Sequence, residues 1–186
     1  MATIDDGKGS GRKMSVSSTQ RGNVSAKTAP RLFYSSRDDG LGYNAVYDDM
    51  TVAAGEVCAY LKNTSSTRNL FIKEIDLHSA EAVKWKIFSV SGTAASGTAI
   101  TPTELNLSKG ISAEASAMSG DTAITGLTNI AQVGTHRTPA LDQRLKEYEG
   151  SLILGPGDAI ACEYDTGTTG LCSAEILFWF EDIGAS

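Results

Sequence analysis

Two residue types that build most catalytic and metal centres are scarce in this chain: two histidines, His78 and His136, and three cysteines, Cys58, Cys162 and Cys172, in 186 residues. An odd number of cysteines with no C-x-x-C pair argues against a disulfide framework or a zinc ribbon. They are read as small buried apolar residues of a protein kept in a reduced compartment. No apolar run approaches the roughly 18 to 20 residues needed to cross a bilayer, and the N-terminus MATIDDGKGSGRKMSV has no apolar centre of a secretory signal. A membrane protein and a Sec-exported precursor are therefore not expected. What is present, 41% hydrophobic residues in a 19.5 kDa chain, suffices for one domain with a real core.

The net charge of −6 hides a division. Residues 1–31 carry six basic side chains (Lys8, Arg12, Lys13, Arg21, Lys27, Arg31) against Asp5 and Asp6, a net of +4, whereas the remainder holds ten basic and twenty acidic residues, a net of −10. Such asymmetry marks a segment with its own binding role. The first thirty residues are rich in Gly, Ser, Thr and Lys, and their large apolar residues, Ile4, Met14, Val16 and Val24, follow no period. They bury too little to offset an ordering cost of about 1 to 2 kcal/mol per residue. Residues 1–30 are thus predicted to be a basic flexible arm, disordered until a partner orders it, and 31–186 a folded domain.

Beyond Pro30 the chain reads as strands. In the C-terminal run, Cys172, Ala174, Ile176, Phe178 and Phe180 share one face. Leu177 and Trp179 lie on the other, too apolar to be fully wet, which predicts cover by a neighbouring subunit or a loop. Val83, Trp85 and Ile87 alternate with Lys84, Lys86 and Phe88, as do Ile160, Cys162 and Tyr164 with Ala159, Ala161 and Glu163. Further strands are expected at Ala45 to Thr51, Val57 to Asn63 and Leu70 to Ser79. The last two are joined by the turn-rich NTSSTRN, and a bulge is expected near Lys73 and Glu74. Gly-Pro-Gly-Asp separates strands at Leu152 to Leu154 and Ala159 to Tyr164. Between Gly92 and Thr138 small residues predict short strands linked by long loops. Pro139 to Tyr148 can be read as a helix capped by Thr138, or as a strand from Gln143 that turns at Gly150; its strand neighbours favour the second. With no internal repeat, the pattern predicts an all-β antiparallel sandwich or barrel, most plausibly a jelly roll.

Chemistry-bearing motifs are thin. There is no G-x-S-x-G elbow, and no Ser, His and Asp set stands out by local pattern; GKGSGRK lacks the spacing of a phosphate loop. His78 with Asp76 is the nearest approach to a metal pair, and Asp38-Asp39 and Asp48-Asp49 to a calcium loop, but each is better read as ordinary strand or loop polarity. No catalytic residue, cofactor or metal is expected. The sequons at Asn23, Asn63 and Asn106 carry little weight without an export signal. An acidic body and an arm without aromatics argue against specific nucleic-acid recognition.

The stretch TVAAGEVCAYLKNTSSTRNLFIKEIDLHS, followed by TPTELNLSKG, GSLILGPGDAIACEYDTG and EILFWFEDIG, resembles small virion structural proteins of tailed bacteriophages. It is most similar to head decoration, or cement, proteins with a jelly-roll body, over roughly Thr51 to Gly184. The resemblance implies a non-enzymatic protein, commonly a homotrimer, that binds neighbouring major capsid subunits from outside the shell. It would be assembled in the host cytoplasm and gripped in place by a terminal arm. No residue motif of such an arm matches, so its six cations are candidates by charge alone. The alternative is a carbohydrate- or receptor-binding β-sandwich of a phage tail or head fibre, using Tyr34, Tyr43 and Tyr47 beside Asp38, Asp39 and Asn44. A jelly-roll enzyme is the third class.

Overall fold

The computed structural model describes residues 2–5, 13–16, 31–166 and 169–184. It divides into two units, 1–30 and 31–186. In the first, β1 (Ala2–Asp5) pairs antiparallel with β2 (Lys13–Val16), placing Ile4 opposite Met14 and Asp5 opposite Lys13. This departs from an arm without secondary structure. The pairing is invisible to periodicity because it joins two four-residue segments across a glycine-rich link. A lone two-stranded ribbon is marginally stable in water. The rest of the arm, including Lys8, Arg12, Arg21 and Lys27, lies outside the described residues.

The second unit opens with one helical turn, α1 (Arg31–Tyr34), widening into a π-turn over Ser35–Asp39 that ends at Gly40 in the left-handed region (φ 70°). Beyond Pro30 the sequence predicted strands, the first at Ala45 to Thr51, and not this turn. Strands then follow as β3 (Gly42–Val52), β4 (Glu56–Asn63), β5 (Arg68–Ser79), β6 (Val83–Ala95), the short β7 (Thr98–Ile100), β8 (Thr103–Glu104) and β9 (Ala115–Ser119), and the long β10 (Thr125–Thr138), β11 (Asp142–Leu154), β12 (Ala159–Thr166) and β13 (Gly170–Asp182). They form two antiparallel sheets, ordered β10-β6-β12-β4-β9-β7 and β11-β5-β13-β3-β8. The eight main strands pair first with last: β3 with β13, β4 with β12, β5 with β11, β6 with β10. The chain is thus one long hairpin whose successive rungs alternate between sheets, closed by the β12–β6 and β13–β5 ladders. That connectivity is a jelly roll.

The core follows the alternation. Cys172, Ala174, Ile176, Phe178 and Phe180 of β13 face Trp85, Ile87, Ile160, Cys162 and Tyr164 across the sandwich, all of them buried. Tyr43 stacks on Phe178 at 5.7 Å and meets Phe180 edge-on at 5.8 Å. The three cysteines are free and buried within this core. Burial pushes the Cys162 thiol up to about 12 and the Cys58 thiol well above its ordinary value. The expected bulge appears where β13 shifts register against β5 between Ile72 and Glu74.

Three sequence expectations change. Trp179 is buried by its own chain: it stacks on Phe71 at 5.4 Å, and a β-carbon on Gly150 would come within 2.5 Å of its ring. Gly150, at φ +80° beside Glu149 at φ 49°, sits in the stretch where β11 shifts register against β5, so what was predicted as a turn is a bulge that lays backbone over the indole. Residues 142–154 accordingly form one strand, and the helical alternative does not occur. The region 92–138 does hold three short strands, but β10 runs for 14 residues, longer than predicted. Register shifts at Gly126, Ile130 and Val133 break its alternation, which is why the period is not visible in sequence.

Candidate functional site

Of the six cations assigned to the arm, two lie among the described residues. Lys13 opens β2. Arg31 begins α1 and belongs to the body: its Nε and Nη2 donate to the two carboxylate oxygens of Glu181 at 2.7 and 3.0 Å. Glu181 Oε1 also accepts the Trp179 indole N–H at 2.8 Å. The guanidinium and the indole hold the Glu181 carboxyl below the usual carboxylate range. The clamp anchors the start of the domain to its last strand, leaving residues 1–30 as the segment beyond the anchor. Arg31 is therefore a tether, a role its charge did not distinguish from that of a binding cation.

The glycan reading loses two of its three tyrosines to the core, while Tyr34 and Asp38 share the Arg37 guanidinium. Tyr43 and Tyr47 are buried, their hydroxyls donating to the carbonyls of Gly40 at 3.1 Å and Tyr60 at 2.9 Å. Tyr34 is packed under the Arg37 guanidinium, 5.3 Å from its ring centroid. Asp38 pairs with Arg37 at 2.6 Å, and Asp48 accepts the amide N–H of Asp49.

His78 and Asp76 line a shallow depression of about 200 Å³ on the outer face of the β5, β11 and β13 strands, with Gln143, Ser173 and Glu175. It is smaller than the several hundred Å³ typical of ligand pockets. One Asp76 oxygen accepts from Gln143, and Glu175 accepts from Asn44 at 3.0 Å. Among the described residues no group of three or more His, Cys, Asp or Glu side chains is placed to hold a metal. Family profiles, curated proteins and solved structures yield no match to this chain. Its function must be argued from its own surface.

His136 lies on β10 opposite Trp85 of β6, and its Nε2 is buried without a partner. Burial, and secondarily the Lys146 ammonium, lower its pKa. A lowered pKa means that the unfolded chain binds a proton the folded chain refuses, so stability is expected to fall as pH drops below about 6.5. Urea denaturation of wild type and His136→Gln at successive pH values checks this. The variant should show the shallower slope; equal slopes would contradict the assignment.

Several further charges of the body are paired within it. On the outer face of the larger sheet, Lys84 pairs with Asp165 at 3.0 Å, and Lys86 pairs with Asp165 and with Glu163. Arg68 bridges Asp182 at 3.0 Å and Glu114 at 3.4 Å. With so many of the body's cations already paired, its excess of acidic groups dominates the field it presents.

Proposed function

We propose that this protein is a non-enzymatic virion structural protein that decorates and stabilises a phage capsid. It would bind major capsid subunits from outside as a homo-oligomer, with residues 1–30 making the grip. The observation that carries the reading is the division of the chain at Arg31: residues 1–30, with five basic and two acidic side chains and a net of +3, precede an acidic jelly-roll body, at a residue pinned to the last strand by Glu181. A charged segment joined to a rigid anchor is steered to oppositely charged surface, and if it orders on contact it covers area at an ordering cost. The virion resemblance of residues 51–184 adds the partner class, and the jelly-roll order is the body that resemblance implied.

Deletion of residues 1–30 tests it. The truncated protein is expected to keep its β-type circular dichroism and cooperative unfolding, and to lose co-sedimentation with capsids that lack the protein. Full-length binding should weaken as salt is raised, because the attraction is between charges. Truncated protein that decorates capsids with unchanged affinity would remove the arm's role. Full-length protein that binds no capsid would remove the proposal.

A further inference from the structure

The first ten residues of the body are lightly fastened to it. Within 31–40, Leu32 is the one large side chain that is buried, and Phe33 is 48% exposed. Much of the packing is internal to the turn: Phe33 meets Tyr34 edge-on at 5.8 Å, Arg37 lies over both rings at 5.0 and 5.3 Å, and Arg37 pairs with Asp38. Such contacts travel with the segment. A single helical turn widening into a π-turn adds little of its own, since helices this short are marginal in water.

What fastens the turn is polar and sits at its two ends. At the start, Arg31 donates to Glu181, with the arginine side chain 65% exposed. At the end, the carbonyls of Arg37, Asp38 and Gly40 accept from Asn106 Nδ2 at 3.1 Å, Lys109 Nζ at 3.2 Å and the Tyr43 hydroxyl at 3.1 Å. Of these, the Arg31 pair and the Asn106 and Lys109 bonds face solvent, where each contributes little. The 104–111 loop that supplies Asn106 and Lys109 is closed by its own bonds: Glu104 accepts the Ile111 amide at 2.7 Å, and Asn106 Oδ1 accepts from the Ser108 hydroxyl at 2.7 Å. Its Leu105 amide donates to the Gly42 carbonyl at 2.9 Å. The loop therefore keeps its shape without the turn. Gly40, in the left-handed region, suits a hinge, because the next residue, Leu41, is tied into the body through its carbonyl, which accepts the Phe180 amide at 3.0 Å.

We propose that residues 31–40 are a releasable strap. Latched, the body begins at Arg31; released, it begins at Leu41, and the segment ahead of it gains ten residues, about 33 to 36 Å of extended chain. Few buried apolar contacts and solvent-exposed bonds are the marks of a segment that opens below the global unfolding free energy. The strap sets how far the N-terminal segment reaches from its anchor, whatever that segment binds, and it does not depend on the capsid reading.

Chymotrypsin tests it on the full chain, because no Leu, Phe, Tyr or Trp precedes Leu32 and a protease needs its substrate extended. Wild type is expected to be cleaved after Phe33 or Tyr34 in the absence of denaturant, at least tenfold more slowly than a peptide of residues 28–40, leaving a body with unchanged circular dichroism. Arg31→Ala, and Asn106→Ala combined with Lys109→Met, should each speed that cleavage at least fivefold. Cleavage that occurs only where urea unfolds the body, or that matches the peptide, overturns the strap, as do variants cleaved at the wild-type rate. Hydrogen exchange of wild type decides without any variant: the Leu41 amide, which donates to the Ser35 carbonyl at 2.9 Å, should exchange at least a hundredfold faster than the central amides of β13. Exchange of Leu41 together with those amides would mean that the turn opens only with the whole domain.

Discussion

Replacing Trp85 by alanine is expected to remove about 3 to 5 kcal/mol of stability, a large share of the roughly 5 to 15 kcal/mol that holds a domain together. Trp85 lies on β6 between β10 and β12, fully buried, and meets Tyr164 edge-on at 5.2 Å. Its indole N–H donates to Thr138 Oγ1 at 2.9 Å, and Thr138 is itself 2% exposed. Truncation therefore leaves a cavity between the sheets and takes the donor from a buried hydroxyl. Urea unfolding at neutral pH measures it. Trp85→Phe, which keeps most of the volume and loses the hydrogen bond, should fall between wild type and alanine. A loss below about 1 kcal/mol for Trp85→Ala, the size of an average substitution, would mean that the site collapses or that the indole is not packed as described.

Asn63→Leu is expected to cost about 3 kcal/mol or more, with little change in side-chain volume. The Asn63 side chain is fully buried at the end of β4, where its amide donates to the carbonyls of Arg68 at 2.8 Å and Leu154 at 2.9 Å. Its Oδ1 accepts the Ser65 amide at 2.9 Å. Its main chain bonds twice to the Gly155–Asp158 corner, accepting from Gly157 and donating to Asp158, both at 3.0 Å. One residue thus ties the β4–β5 loop to the β11–β12 turn. Leucine would orphan three buried main-chain groups at about 1 to 3 kcal/mol each. Asn63→Asp should be worse at neutral pH, since it turns a carboxylate oxygen toward two carbonyls. Chemical denaturation of both variants checks the order; an Asn63→Leu protein as stable as wild type would show that water or relaxation replaces all three bonds.

The two sites differ in how far they could be read beforehand. Trp85 was legible because Val83, Trp85 and Ile87 alternate with lysines, and an uninterrupted period of two assigns a face without knowledge of the partner strand. The same holds for the closing strand from Cys172 to Phe180. Asn63 stood out only as a sequon, yet it is a buried cross-brace; its partners are 5 and 91 residues away, and nothing local marks them. Ile130 and Val133 fall between Gly92 and Thr138, where small residues predicted short strands linked by long loops. They lie on a strand whose bulges erase the period. Arg31 was grouped with the arm because charge alone does not say which cation meets a carboxylate 150 residues away.

By itself the sequence determined the fold class, most of the strand faces, the corner at Gly-Pro-Gly-Asp, and the division between a basic N-terminal segment and an acidic body. These depend on local period, turn chemistry and composition, which act over a few residues. The tertiary structure alone decided that Trp179 is covered by Phe71 and the Gly150 bulge, with no second subunit required. It likewise buried Tyr43 and Tyr47, whose hydroxyls donate to the carbonyls of Gly40 and Tyr60. Each of those outcomes depends on which strands become neighbours. In a jelly roll, where the first strand pairs with the last, that choice is made by contacts distant in sequence, and no local pattern encodes it.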